Sequence, residues 1–229
     1  MKATALIAVI FVFLGLQAGA KADEVENMLE NIHWLGHSAF RIDAGGKTIY
    51  VDPYNIFKGP VADIILITHA HYDHCSPDDV KKIQGPNTVI VATQDSAKKF
   101  KGNIRVVKPF EKINISGIDI ETVPAYNLNK PNHLKQSGWV GYIIDVNGVK
   151  VYHAGDTDYI PEMNTLKLDI ALVPVGGTYT MDANEAAKFV NTVKPKIAVP
   201  MHWGSAVGSR ADAQNFKVLC KTQVEIPTQ

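Results

Sequence analysis

The sequence predicts a single α/β domain, and two observations carry this prediction. Short apolar runs of strand length alternate with short segments that begin with helix-capping residues. Polar or glycine residues directly follow several of these runs. In α/β sheets, ligands bind at the edge where the carboxyl ends of the strands lie. The composition agrees, because 46% of the 229 residues are hydrophobic and 20% are charged, which excludes intrinsic disorder and allows a sizeable core.

The start of the chain predicts an export signal. Lys2 supplies a positive charge, residues 3–16 form an uncharged, mostly apolar run too short to span a bilayer, and Ala18-Gly19-Ala20 is a small-residue cleavage site. We therefore expect a signal peptide over residues 1–20, one domain over residues 21–229, and an exported, periplasmic location. The alternative is an uncleaved N-terminal anchor, which the short run and the cleavage site disfavour.

The first part of the domain contains a clear strand and a clear helix start. Residues 63–68 form a continuous apolar run, which suits a strand buried on both faces. Ser76 fits a helix N-cap and Pro77 the first helical position, and Gly85-Pro86 should end that helix. Residues 94–101 predict a solvated helix face. Further strands are expected at residues 48–51, 88–92, 104–107, 113–115 and 118–123.

The second part has a hairpin and one amphipathic helix. Strands at residues 142–146 and 149–153 are joined by Asn147-Gly148, a strong turn signal. Asp182 opens a capping box, and the helix that follows carries small apolar residues on one face until Pro195 stops it. Two more buried-type strands are expected at residues 169–174 and 196–200.

A dense cluster of metal-ligating residue types follows the strand at residues 63–68. His69, His71, Asp73 and His74 fall within six successive positions. Neutral imidazole and carboxylate bind zinc and other divalent first-row metals. His69 and His71 are two residues apart, so both can point the same way at the end of a strand. Asp73 and His74 lie on the following turn and can face a second metal.

Two later strands end in similar chemistry. Asp156 follows the strand at residues 149–153, and Gly155 permits a tight turn that presents the carboxylate. A carboxylate can bridge two metals, which a neutral imidazole cannot do. His202 follows the strand at residues 196–200. Asp156 or His202 alone would be an ordinary turn or core residue. The prediction therefore depends on both lying at the same ligand-binding edge of the sheet.

The motifs around these residues resemble one superfamily. Thr-His-Ala-His-Tyr-Asp-His at 68–74, Ala-Gly-Asp-Thr at 154–157 and Pro-Met-His at 200–202 are similar to the metallo-β-lactamase superfamily of metal-dependent hydrolases. The similarity is greatest to its ascorbate-6-phosphate lactonase-like and N-acyl-phosphatidylethanolamine phospholipase D-like branch, which Trp34–Ala39 and Leu172–Gly177 also resemble. The resemblance covers nearly all of the mature chain. It implies a four-layer αβ/βα sandwich with two metals at one edge between the sheets.

The resemblance also implies the ligands. The first metal would be bound by His69 and His71, the second by Asp73, His74 and His202, and both by the bridging Asp156. The superfamily usually has one more histidine at the first metal, and Asn127 stands at the matching position. His133, six residues later, is either the substitute ligand or an exposed loop residue.

The metals and their neighbours together predict the chemistry. Two metals held close together activate a bound water as hydroxide for attack on a carbonyl or phosphoryl centre, and Asp73 would orient that nucleophile as well as ligate. His37, Asp52 and Thr68 are candidates for outer contacts that fix histidine tautomers. The histidines favour two zinc ions, with manganese or iron as alternatives because carboxylate is present.

The predicted function is therefore exported, metal-dependent hydrolysis of an ester, lactone or phosphodiester bond in a small molecule. The alternatives are a metal-binding protein of the same fold with little turnover, which Asn127 motivates, and a nucleic-acid-processing member of the superfamily. Lys+Arg and Asp+Glu are 23 each, so we expect no nucleic-acid partner. No stable membrane anchor is expected, because the N-terminal apolar run is short and a cleavage site follows it. Cys75 is expected to be a buried neighbour of His74, and nothing in the sequence pairs it with Cys220.

Overall fold

Two mixed β-sheets face each other, and helices pack on their outer sides. The computed structural model describes residues 20–205 and 207–228. The predicted export signal therefore lies outside the described residues, apart from Ala20. This architecture confirms the predicted αβ/βα sandwich. No described helix has both the length and the hydropathy needed to cross a bilayer.

The first sheet is formed by the N-terminal half of the chain. Its strands lie in the order β1 (Ile32–Gly36), β2 (Ala39–Ala44), β3 (Lys47–Val51), β4 (Ala62–Ile67), β5 (Gln84–Thr93) and β6 (Asn103–Val107). The pairs β1–β2 and β2–β3 are antiparallel, and the rest are parallel. The parallel strands therefore all end at the same edge.

The second sheet is formed by the C-terminal half. Its strands are β7 (Lys112–Ile115), β8 (Ile118–Pro124), β9 (Val140–Val146), β10 (Val149–His153), β11 (Ile170–Pro174), β12 (Ile197–Met201) and β13 (Gln223–Val224). They lie side by side in sequence order. Strands β10 to β13 are parallel, whereas β7 to β10 form an antiparallel meander.

Within the described residues, four α-helices accompany these sheets. They are α1 (residues 20–30), α2 (Pro77–Ile83), α3 (Ala183–Val193) and α4 (Arg210–Leu219). Ser76 caps α2, because its side chain accepts the Asp79 N–H, and Asp182 caps α3 by accepting the Glu185 N–H. Both caps are the predicted ones. On α1, Val25 and Met28 are buried in the main core, so this helix is part of the packed domain.

Strand β4 shows why the apolar run at residues 63–68 has no polar alternation. Ile64 and Leu66 point into the main core between the sheets, whereas Ile65 and Ile67 pack in a second cluster with Val80 of α2. Both faces of the strand are dry, so both need apolar side chains. Full burial of each such side chain contributes about 1.5–3 kcal/mol. Because both faces of β4 are packed, the residues that directly follow it, where the histidine cluster begins, have a rigid support.

Several elements differ from the prediction. Helix α2 ends at Ile83, in agreement with a stop at Gly85-Pro86, but β5 begins at Gln84, before the expected strand at residues 88–92. The segment 94–101 contains only the short 3₁₀ helix Ser96–Lys99, because Asp95 accepts the Ser96 N–H and Phe100 turns into the outer core. Helix α4 and the β1–β2 hairpin were not anticipated from the sequence.

Candidate metal centre

Histidine and aspartate side chains from six chain segments meet at one edge between the two sheets. We call His69, His71 and His133 the first half-site, because their ligand atoms lie within 4.8 Å of one another. We call Asp73, His74 and His202 the second half-site. Together with a ligand atom of His37, their ligand atoms also lie within 4.8 Å of one another. The two groups are adjacent, since the His69 and His74 rings are 4.1 Å apart between centroids.

Asp156 lies between the two half-sites. Its Oδ2 is 3.2 Å from Nε2 of both His133 and His202, and its Oδ1 is 3.2 Å from Nε2 of His74. Its Oδ2 is also 3.9 Å from Nε2 of His69. One carboxylate therefore faces ligand nitrogens of both half-sites, which is the geometry of a bridging ligand.

The turn that presents Asp156 depends on Gly155. This residue has a φ of +62°, and a Cβ atom there would lie 3.0 Å from the Val140 carbonyl oxygen and 3.2 Å from the Thr68 Cβ. Only glycine suits both the left-handed backbone and the close approach of the two loops. The turn thus brings the end of β10 against the end of β4.

Asp52 orients the histidines that follow β4. Its carboxylate accepts hydrogen bonds from His74 Nδ1 at 2.7 Å and from the Thr68 backbone N and Oγ1 at 2.8 and 2.6 Å. Because Thr68 Oγ1 donates to Asp52, it can accept from His69 Nδ1, which is 2.9 Å away. Both histidines consequently carry their proton on Nδ1 and turn Nε2 towards Asp156. Asp52 and Thr68 occupy the outer positions expected from the sequence.

Three residues at or beside the second half-site have left-handed backbones. His37, Asp52 and His202 have φ values of 51°, 46° and 59°, in the left-handed region that non-glycine residues rarely adopt. The His37 carbonyl accepts the His202 N–H at 2.9 Å and the Trp34 indole N–H at 2.9 Å. Such conformations persist where surrounding contacts determine them, and they are typical of functional sites.

His37 also contacts Asp73. Its Nε2 lies 3.1 Å from Asp73 Oδ2, and its side chain is buried. This contact lowers the pKa of Asp73, although burial by itself would raise it. His37 therefore fixes the orientation of a carboxylate in its ionised form.

The structure places His133, and not Asn127, in the first half-site. The His133 side chain is buried, so it is not an exposed loop residue. Asn127 Oδ1 is 3.0 Å from His133 Nδ1, and it also accepts the His133 backbone N–H at 3.1 Å. The asparagine oxygen is thus occupied by the histidine and does not face the cluster.

Comparison with known proteins decides the family. The family model described as the beta-lactamase superfamily domain matches residues 31–202. UPF0173 metal-dependent hydrolases of Thermococcus onnurineus and Thermoplasma acidophilum are 35% and 36% identical, over 85% and 86% of this chain and 94% and 93% of theirs. The crystal structure of a metal-dependent hydrolase from Parabacteroides distasonis has a TM-score of 0.77 and 36% identity, covering 86% of this chain and 91% of that one.

The chain belongs to the metallo-β-lactamase superfamily. It is a metal-dependent hydrolase of that fold, as the resemblance of its motifs implied. The particular branch of the superfamily stays a prediction.

The donor atoms of this superfamily member fit a metal. Nε2 of His74, His133 and His202 and Oδ1 of Asp156 are buried, and none of these atoms has a hydrogen-bond partner. Leaving a buried polar atom unpaired costs about 1–3 kcal/mol, so four converging examples call for a ligand. Imidazole nitrogen and carboxylate oxygen are suitable donors for zinc and other first-row divalent metals.

The electrostatics of the centre divide the histidines into two kinds. Burial lowers the pKa of His69 well below 6.5 and lowers that of His71, so both are neutral at pH 7. Burial also opposes the charged form of His74, but Asp156 and Asp52 outweigh it and raise its pKa well above 6.5. Burial would raise the pKa of Asp156, yet His202 and His74 hold it well below its usual range.

Three further residues of the centre were missed by sequence reasoning. Trp139 packs against His69, His71 and His133, with ring centroids 4.8–5.5 Å apart. Asp158 and Lys130 form an ion pair behind Asn127. Asp158 stands two residues after Asp156 in Gly-Asp-Thr-Asp, which is the only sequence signal that could have indicated it.

Neither cysteine belongs to either half-site. Cys75 and Cys220 are both free. Burial raises the pKa of the Cys75 thiol to about 11, so it is not a thiolate at neutral pH. This agrees with its interpretation as a buried neighbour of His74.

A cavity opens over the centre. Its volume is about 350 Å³, and it is lined by His71, Tyr72, Asp73, Asn132, His133, Asp156, Tyr179 and Val207. Tyr72 and Tyr179 are partly exposed and add aromatic surface to the lining. A small molecule in this cavity would contact both half-sites.

Proposed function

We propose that this protein hydrolyses an ester, lactone or phosphodiester bond of a small molecule at a centre of two divalent metals, with zinc as the favoured ion. The observation that carries the proposal is the convergence of buried, unpaired donor atoms on Asp156 from both half-sites. Seven ligating side chains are too many for one tetrahedral ion but suit a pair.

Each ligand would have a defined place. His69, His71 and His133 would hold the first metal, Asp73, His74 and His202 the second, and Asp156 both. When bound, such a pair supplies a water nucleophile that is active near neutral pH and a Lewis acid for the oxygen of the scissile bond.

Asp73 has the additional role of orienting the nucleophile. It lines the cavity, and its Oδ2 is held by His37 at 3.1 Å, so its position does not depend on substrate. A carboxylate fixed in this way presents the same oxygen to the reacting water in every turnover. We therefore assign Asp73 as the catalytic residue and His37 as the residue that positions it.

The lining of the cavity favours an ester or lactone over a phosphodiester. Tyr72, Tyr179 and Val207 offer aromatic and apolar surface to a neutral group, and Asn132 offers an amide. Among the described lining residues there is no lysine or arginine, the usual partners of phosphate. Phosphodiesters remain in the test below because the metals themselves attract anions.

Metal analysis followed by a substrate screen tests this proposal. We expect close to two zinc ions per chain after reconstitution, and hydrolysis of at least one ester or lactone that Asp73→Asn reduces by at least 100-fold. Trace metal alone after reconstitution would contradict the proposal. Two bound metals with no hydrolysis above that of Asp73→Asn would support the second candidate, a metal-binding protein with little turnover.

We also propose that the protein is exported with cleavage after Ala20. The charged start, the apolar run and the small-residue site support this. Lys21, the next residue, donates to the Gly148 carbonyl and pairs with Asp169, contacts that a cleaved chain would keep. Mass spectrometry of the protein from its native cell should find an N-terminus at Lys21 or Asp23. An intact Met1 on a cytosolic protein would contradict export.

A further inference from the structure

His133 lies on the segment between β8 and β9, nine residues after β8 ends at Pro124. A side chain so far from a strand needs another means of support. Asn127 supplies it with three hydrogen bonds. Its backbone N–H donates to the His133 carbonyl at 2.7 Å, and its Oδ1 accepts from the His133 backbone N and ring Nδ1 at 3.1 and 3.0 Å. These bonds close residues 127–133 into a compact loop.

The side-chain amide of Asn127 is itself held by two hydrogen-bond acceptors other than His133. Its Nδ2 donates to Asp158 Oδ1 at 3.0 Å and to the Tyr179 carbonyl at 2.8 Å. Both amide hydrogens are therefore used on acceptors, and both oxygen lone pairs on donors of His133. A flipped amide would place NH₂ against the His133 backbone N–H, and oxygen against the Asp158 carboxylate and the Tyr179 carbonyl. The surroundings thus allow only one orientation, with oxygen towards His133.

Asp158 and Lys130 complete this support. Asp158 is buried, accepts the Leu128 N–H at 2.9 Å and forms an ion pair with Lys130. The Lys130 ammonium also donates to the Thr180 carbonyl at 3.0 Å. Since Asp158 is two residues from Asp156, this ion pair joins the loop that carries His133 to the turn that carries Asp156.

We propose that Asn127 is a positioning residue that holds His133 with its proton on Nδ1 and its Nε2 towards Asp156, and that the Lys130–Asp158 pair holds Asn127 in turn. This rests on the proposed function in one respect, that a metal binds at the first half-site. A histidine ligand usually donates its second ring N–H to a fixed acceptor, and loss of that acceptor costs about 10–100-fold in metal affinity.

Metal affinity tests the inference independently of catalysis. Zinc is titrated into the full mature chain in competition with a chromophoric chelator. Asn127→Ala should weaken the first metal by about 10–100-fold and leave the second metal within about 2-fold. Lys130→Met removes only the ion pair with Asp158, so we expect the affinity for the first metal to fall by less than about 10-fold. Asn129→Ala, an exposed asparagine of the same loop, is the matched control and should change neither affinity.

A spectroscopic measurement separates positioning from general damage to the fold. In the zinc-loaded wild type, ¹H–¹⁵N spectra of histidine-labelled protein should show a slowly exchanging Nδ1 proton on His133. Asn127→Ala should lose that signal while the Nδ1 proton of His74, held by Asp52, remains. Because Lys130→Met keeps Asn127 itself, it should retain the His133 signal with faster exchange.

The outcomes distinguish this inference from the proposed function. If Asn127→Ala binds the first metal within about 2-fold of wild type, or keeps the slow His133 proton, the inference is wrong. It is also wrong if the wild type binds metal only at the second half-site. If the wild type binds two metals and hydrolyses no substrate, the proposed function fails, and the affinities still decide the role of Asn127.

Discussion

The two half-sites share Asp156 but are positioned by different means. His202 of the second half-site directly follows β12, and its neighbours His37 and Asp52 directly follow β1 and β3. All three have left-handed backbones that the surrounding contacts impose. The first half-site depends on His133, which a loop carries and hydrogen bonds hold. The difference between the half-sites therefore lies in one ligand of each: a strand end positions His202, whereas a network of side chains positions His133.

This difference has an energetic consequence. Strand ends are fixed by the whole core, so the backbone of a ligand there is held by many contacts. The loop at residues 125–139 is fixed by a few polar contacts, and each contact carries a larger share of the geometry. We therefore expect substitutions in this loop to weaken mainly the first half-site, and substitutions at the strand ends, such as that of Asp52, to weaken mainly the second.

Removal of one histidine from each half-site should have the largest effect. His133→Ala should reduce the metal content from two ions to one by emptying the first half-site, and His202→Ala should do the same for the second. Each lost ligand should weaken its metal by more than the 10–100-fold typical of an outer contact. Elemental analysis after dialysis against a weak chelator measures this. His33→Ala, which removes a histidine outside both half-sites, should retain two ions.

Replacement of Asp52 should weaken metal binding mainly at the second half-site. Asp52→Asn weakens the acceptor of His74 Nδ1, so the second metal should bind about 10–100-fold more weakly while the first changes less. Chelator competition gives both affinities. Asp63→Asn is the control, because Asp63 contacts Lys47 and the Thr48 N–H and no histidine. A greater loss at the first half-site would contradict the assignment of His74 to the second.

The pH dependence should also differ between the half-sites. Because the pKa of His74 is raised well above 6.5 in the metal-free protein, this residue holds a proton at pH 7 that must leave when its Nε2 binds metal. The pKa values of His69 and His71 are lowered, so these residues are already neutral. Affinity of the second half-site should therefore keep rising with pH above 6.5, whereas His69 and His71 add no further dependence there.

Calorimetry can measure this difference. Titrations near neutral pH in buffers of different ionisation enthalpy should show that His74 releases about one proton when metal binds at the second half-site. His69 and His71 should release none when metal binds at the first. Equal proton release with Asp52→Asn and with wild type would show that the raised pKa of His74 does not depend on Asp52.

The smallest expected effect is that of Trp139. This ring packs against all three histidines of the first half-site and donates its indole N–H to Asp95 at 2.8 Å. Trp139→Phe keeps a ring but loses the hydrogen bond, so the first metal should weaken only a few-fold, in keeping with about 0.5–1.5 kcal/mol for one such bond. Fluorescence should also lose its response to the first metal, and an unchanged response would place that metal elsewhere.

Six of the seven proposed ligands could be predicted from the sequence because they lie just after strands β4, β10 and β12. The apolar run at residues 63–68 locates β4, and the spacing of His69 to His74 then places the cluster at the sheet edge. Asp156 and His202 follow from the same argument. The capping residues Ser76 and Asp182 predicted two helix starts for local reasons, which is why both agree with the structure.

The first half-site could not be completed in this way. Residues 125–139 have no periodic pattern, and the choice between Asn127 and His133 depends on acceptors from distant segments, Asp158 and the Tyr179 carbonyl. The same limit applies to the segment 94–101, where Asp95 and buried Phe100 shorten the predicted helix. Local patterns predict elements, whereas these positions depend on tertiary contacts.

Anomalous diffraction from crystals of the zinc-loaded mature protein is the most direct test of the central claim, that two half-sites share Asp156. We expect two zinc peaks, one contacting His69, His71 and His133, the other contacting Asp73, His74 and His202, with Asp156 touching both. A single peak, or a first peak whose third ligand is not His133, would contradict it.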